Sequence, residues 1–134
     1  MDNYFAPTME SREINQISAL GLAHCGDAVF ELLVRTWLCI HGGVQANALH
    51  KMTVSYVSAS AQAKRAEKLL PLLTEEELGF YKRGRNAHAH HGIPKGATCE
   101  EYSKATGLEC LFGGLYLLGK TERLNELFIA TQED

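Results

Sequence analysis

Apolar residues recur at helical spacing along almost the whole chain, and alternating runs flanked by hairpin turn signals are missing. This periodicity predicts an all-α domain, a helical bundle. With 134 residues, 46% of them hydrophobic, the chain has the size and the apolar content for a single core, so one domain is expected over residues 1–134. The first strong helix is predicted from about Ala19 to Ile40, stopping at Gly42 and Gly43. A short turn of helix follows at Asn47 to Met52, then a helix from Ser55 to Leu70 ended by Pro71. Thr74 with Glu77 forms a capping box for the next, which reaches about Asn86. The segment AHAHHGIPKGATCE reads as a loop of about a dozen residues, long enough to suspect function. Helices from about Tyr102 to Leu118 and from Glu122 to Ala130 complete the chain, separated at Gly119.

Two of these helices carry a misplaced charge. In LAHCGDAVFELLVRTWLCI, Glu31 has Arg35 one turn on, which leaves Asp27 without an obvious partner. In LECLFGGLYLLG the only charge is Glu109. Helices apolar nearly all round belong inside a domain, and a carboxylate there needs a counter-charge, hydrogen bonds or a metal. The two acids are expected to meet, because Gly113 and Gly114 let another helix come close one turn past Glu109. Two carboxylates with waters make a hard-oxygen site suited to Mg²⁺, with Mn²⁺ as a substitute. The competing reading is structural: Asp27 caps a break near Gly26, and Glu109 faces water at the edge of a groove.

Charge and cysteines narrow the setting. The net charge of −3 argues against a uniformly basic nucleic-acid binder, but nine Lys and Arg against six Asp and Glu lie between Lys51 and Lys104, whereas the remainder has four against ten. Cys25, Cys39, Cys99 and Cys110 form no CxxC pair and read as free, buried thiols of a reducing compartment. The N-terminus is acidic and mixed, unlike a secretory signal, and no apolar run reaches membrane-spanning length, so a cytoplasmic protein without membrane attachment is expected.

LAHCGDAVFELLVR resembles the signature helix of the ribonuclease III family, and ECLFGG resembles that family's second motif, a glutamate followed by three apolar residues and glycine. NALHKMTVSYVSASAQA and TEEELGFYKRGRNA are similar to segments of the small Mini-III branch, which lacks a separate double-stranded-RNA-binding domain. The resemblance implies a ribonuclease III-type catalytic fold, Asp27 and Glu109 as catalytic metal ligands, and a homodimer cutting one strand of double-stranded RNA per subunit. It further implies products with a 5′-phosphate and a 3′-hydroxyl, and a structured precursor of large-subunit (23S) ribosomal RNA as substrate, with assistance by a ribosomal protein left open. Phe30 and Trp37 are compatible with a dimer face and equally with an ordinary core. Where the larger family carries further acids, this chain has Leu20, Ala23 and Thr106.

A duplex recognised by shape calls for basic groups that reach phosphates. Lys82, Arg83, Arg85 and Asn86 at the end of one predicted helix, with His88 and Lys95 in the following loop, form one candidate set; Lys51, Lys64 and Arg65 are taken from a second that includes His50 and Lys68. His88, His90 and His91 with Cys99 are a weaker candidate for zinc. Two rival functions stay open: a non-cleaving RNA-binding relative, and a helical interaction module in which His24 or Arg35 holds the acids.

Overall fold

The computed structural model describes residues 2–42, 45–87 and 97–132, and every regular element among them is helical. In chain order these are α1 (Ser11–Ile14), α2 (Ala19–His41), α3 (Ala46–Val57), α4 (Ala59–Leu69), α5 (Glu75–Arg85), α6 (Cys99–Leu118) and α7 (Thr121–Gln132), with a 3-10 turn at Leu70–Leu72. None is long and apolar enough to cross a membrane.

The middle of α6 is buried from Ala105 through Leu115 apart from the half-buried Glu109, as an all-round apolar helix must be, and α2, α4 and α5 pack around it. Phe30 of α2 meets Phe112 of α6 edge-on, ring centroids 5.3 Å apart, and Phe128 of α7 closes on the same cluster. Phe30 is thus a core residue and offers nothing to a partner, while Trp37 packs part-buried on the rim. The approaches to α6 are close because glycines lie in them. A Cβ on Gly113 would come within 2.3 Å of the Leu22 carbonyl oxygen of α2, and one on Gly114 within 2.8 Å of the Phe80 ring of α5.

Local signals account for most helix ends. The Ser18 hydroxyl accepts from Gly21 N–H to start α2, and Gly119 ends α6 with φ of +81°, the left-handed conformation that glycine adopts without strain. Glu77 closes the capping box of α5 and is also buried against Arg123 of α7, with both carboxylate oxygens accepting from the guanidinium at 2.8 and 2.9 Å.

Three boundaries differ from the pattern-based expectation. The turn predicted at Asn47–Met52 is a 12-residue helix, and the helix predicted from Ser55 is interrupted at Ser58, which is extended and caps α4 with its hydroxyl. α6 begins three residues earlier than predicted, because Thr98 and Glu101 form a capping box within the segment read as loop. Residues 88–96 of that segment lie outside the described residues. The short α1, which periodicity does not reveal, buries Ile14 completely. The described cysteines are free, but Cys39 and Cys99 are exposed, Cys25 is half-buried and only Cys110 is buried, its thiol donating to the Ala19 carbonyl at 2.9 Å. Three of the four therefore depart from the burial expected, since in a bundle an apolar run has a solvent side as well as a core side.

Candidate active site

Asp27 and Glu109 face each other where α2 and α6 come closest. A Cβ on Gly26 would lie 1.6 Å from the Glu109 carbonyl oxygen and 2.8 Å from the Gly113 nitrogen, so the two backbones touch there and only a glycine fits. Asp27, the next residue on α2, is consequently within hydrogen-bond reach of the Glu109 carboxyl. Asp27 is exposed and Glu109 half-buried, so the pair forms a site with one acid at its mouth and one in its wall. Asp27 is therefore less enclosed than an apolar helix suggests, lying at the edge of the contact that Gly26 makes with α6.

Electrostatically the pair is under tension. Burial, followed by the hydrogen bond to and the charge of Asp27, pushes the Glu109 carboxyl up to about 8; a hydrogen bond from the Gln62 side chain acts in the opposite direction. No Lys or Arg among the described residues forms an ion pair with either acid: Arg35 pairs with Glu31 at 2.8 Å, as the spacing predicts. Two hard-oxygen carboxylates without a protein counter-charge, reachable from solvent, fit a divalent cation of the Mg²⁺ type, which would occupy the place of the shared proton. Among the described residues no third His, Cys, Asp or Glu joins them, so ligands beyond these two must come from solvent or substrate. Ala23 and Thr106, which replace acids of the larger family, are buried.

The basic candidates fall into two groups. Lys51 on α3, Lys64 on α4, and Lys82 and Arg85 on α5 are exposed, as is Asn86, with Arg85 over the Tyr81 ring at 5.9 Å. Arg65 and Arg83 are half-buried and committed to the fold: Arg65 lies 4.5 Å over Tyr56 and donates to the Thr131 carbonyl, and Arg83 donates to the Ile17 carbonyl. His88 and Lys95, and the HAHH zinc candidate, lie outside the described residues. Sequence reasoning passed over Gln62, whose one signal was a long polar residue in the alanine-rich run SASAQA.

A helical bundle whose signature acid on α2 meets a glutamate on α6 across a glycine contact defines a class, and comparison with known proteins agrees. The model of the Ribonuclease III domain matches residues 20–120, a span that includes both acids. The chain belongs to the ribonuclease III family of endoribonucleases, and within it to the Mini-III branch. Mini-ribonuclease 3 of Symbiobacterium thermophilum is 46% identical over 114 residues, which cover 85% of this chain and 87% of the relative. The Enterococcus faecalis Mini-ribonuclease 3 is 45% identical over 118 residues, with 87% and 89% covered. The crystal structure of protein FN1578 from Fusobacterium nucleatum superposes with a TM-score of 0.75 at 33% identity, covering 84% of this chain and 88% of that one.

Proposed function

We propose that this endoribonuclease is specific for double-stranded RNA, that Asp27 and Glu109 hold Mg²⁺ or Mn²⁺ for phosphodiester hydrolysis, and that its substrate is the precursor of large-subunit (23S) ribosomal RNA. The observation that carries the reading is the convergence of the two carboxyls at the glycine contact between α2 and α6, where no Lys or Arg among the described residues pairs with them. When bound, the cation activates a water and offsets the charge that develops on the phosphoryl oxygens. The chain's own part is to keep the two carboxylates at one fixed separation and, at Glu109, to give up the proton that burial favours. With two acids per site, cation affinity is expected to be weak until a substrate phosphate joins.

Residues 1–134 act as one catalytic domain in this reading, cytoplasmic and homodimeric. Leu20, Leu32, Ile40 and Ile129 are exposed apolar side chains, 42–72% accessible, which a second copy would cover. Selectivity then rests on the catalytic domain itself, or on a ribosomal protein acting with it. Lys51, Lys64, Lys82, Arg85 and Asn86 supply duplex contacts, with His88 and Lys95 as further candidates; Arg65 and Arg83 support that surface from behind.

The test is a labelled RNA duplex and its separate strand incubated with the protein and Mg²⁺. Cutting of the duplex alone, abolished by a chelator, is expected. Salt-sensitive binding without cutting would point instead to a non-cleaving relative, and no duplex affinity to an interaction module. Lys82→Ala and Arg85→Ala should each weaken duplex binding uniformly across sequences and lower the salt slope of log K by about 1. An unchanged slope would remove that face of α5 from the RNA path.

A further inference from the structure

Among the described residues five polar side chains are buried, and Gln62 stands apart from the other four; at the half-buried Arg65 and Arg83, Nε and one Nη respectively have no hydrogen-bond partner. Thr53, Thr106 and Thr131 donate their hydroxyls to carbonyls of their own helices, and Glu77 is shared between its capping box and Arg123. Gln62 is only 1% exposed, on a helix whose other inward residues are Ala63, Ala66 and Leu69. An amide buried there is costly without a partner, and an apolar residue of the same length would suit the contact between α4 and α6 as well. Across the contact between α4 and α6 it lies beside the Glu109 carboxyl, which it draws down against the effect of burial.

We propose that Gln62 is a positioning residue for catalysis: its amide N–H, held rigid by burial, fixes the orientation of the Glu109 carboxylate so that both site acids point at one cation. The fold does not require this amide, whereas the site uses it. Glu109 is a flexible side chain and, among the described residues, forms no ion pair that would direct it. Among the described residues the donor beside it is Gln62 of α4. Asp27 on α2 and Gln62 on α4 therefore both act on Glu109, one as co-ligand and one as orienting donor. Donors of this kind set the geometry and basicity of metal-binding groups, and their loss typically costs roughly 10–100-fold in metal affinity or activity.

The inference rests on the metal-site reading above, and the experiment separates their failures. Gln62→Met keeps length and volume and removes the donor. Four quantities are compared with wild type: melting temperature in chelator, duplex affinity, kcat with Mg²⁺, and Mn²⁺ affinity from the EPR signal of the free ion. We expect an unchanged or higher melting temperature, duplex affinity within twofold, kcat lower by roughly 10–100-fold and Mn²⁺ affinity lower by about tenfold. Should that variant not fold, Gln62→Asn, which withdraws the amide by one methylene, is expected to give the same separation. Wild-type kcat and Mn²⁺ affinity in a folded variant would overturn the proposal, as would losses that track the melting temperature. If wild type, Asp27→Asn and Glu109→Gln take up Mn²⁺ and treat duplex alike, the metal-site reading fails first and the role of Gln62 falls with it.

Discussion

Glu109→Gln is expected to give a folded protein that binds duplex like the wild type and cuts it roughly a thousandfold more slowly or worse, and Asp27→Asn to do the same. Both substitutions keep the shape of the side chain and remove the anion. Neither acid forms an ion pair among the described residues, so the deficit should appear in kcat at unchanged duplex affinity. The two substitutions together should cost little more than either alone, because they disable one shared cation site. Single-turnover cleavage alongside equilibrium binding reads both quantities. A variant that cuts within tenfold of wild type would remove its residue from the metal shell.

Glu109→Gln has a second expected effect, on stability without metal. Burial, then Asp27, pushes the Glu109 carboxyl up to about 8, against an ordinary value of 4.5 in the unfolded chain. Between those values the native protein holds a proton that the unfolded chain has lost, so the stability from this group is complete below about pH 4.5 and is lost as pH rises through about 8. In chelator, wild type should therefore lose on the order of 2 to 4 kcal/mol between pH 5 and pH 8 that Glu109→Gln does not lose. Saturating Mg²⁺ should restore much of the difference, since the cation takes the place of the proton. Parallel pH profiles of melting temperature for the two proteins would show that neither burial nor Asp27 raises the Glu109 carboxyl.

How far the sequence foretold this arrangement can be followed residue by residue. Asp27 and Glu109 were legible because a lone acid in an apolar helix is expensive, and Gly113 and Gly114 because two helices cannot approach closely over a Cβ; Gly26, which the sequence offered only as a candidate break, lies inside a continuous α2 at the tightest contact. The match of residues 20–120 to the Ribonuclease III domain agrees with the motifs that carried the resemblance. What the sequence concealed depended on packing. Arg83 and Arg85 look equivalent in KRGRN, yet helical phase sends the first to the Ile17 carbonyl and the second to the surface. Gln62 went unremarked, because nothing local reveals that its face of α4 lies against α6. Ser58 divides α3 from α4 through a backbone torsion whose only sequence trace is a serine, a residue equally at home elsewhere.

The glycine contact that brings the acids together should be the least forgiving place in the fold. A Cβ on Gly26 would stand 1.6 Å from the Glu109 carbonyl oxygen, 2.5 Å from its carbonyl carbon and 2.8 Å from the Gly113 nitrogen. All three are backbone atoms of α6, so no rotamer change relieves the clash, and α2 and α6 must part along the core they share. Gly26→Ala is therefore expected to cost about 3 to 5 kcal/mol, roughly 10–15 °C in melting temperature, although alanine is the better helix former. Gly79→Ala on α5 is the control: nothing lies within 4 Å of its added Cβ, and a gain of up to about 1 kcal/mol is expected. The Gly26 variant should also lose more cleavage activity than its unfolded fraction explains, since parting the helices draws Asp27 away from Glu109. If Gly26→Ala melts with the wild type while Gly79→Ala behaves as expected, the helices are not in contact there, and the convergence of the two acids loses its structural cause.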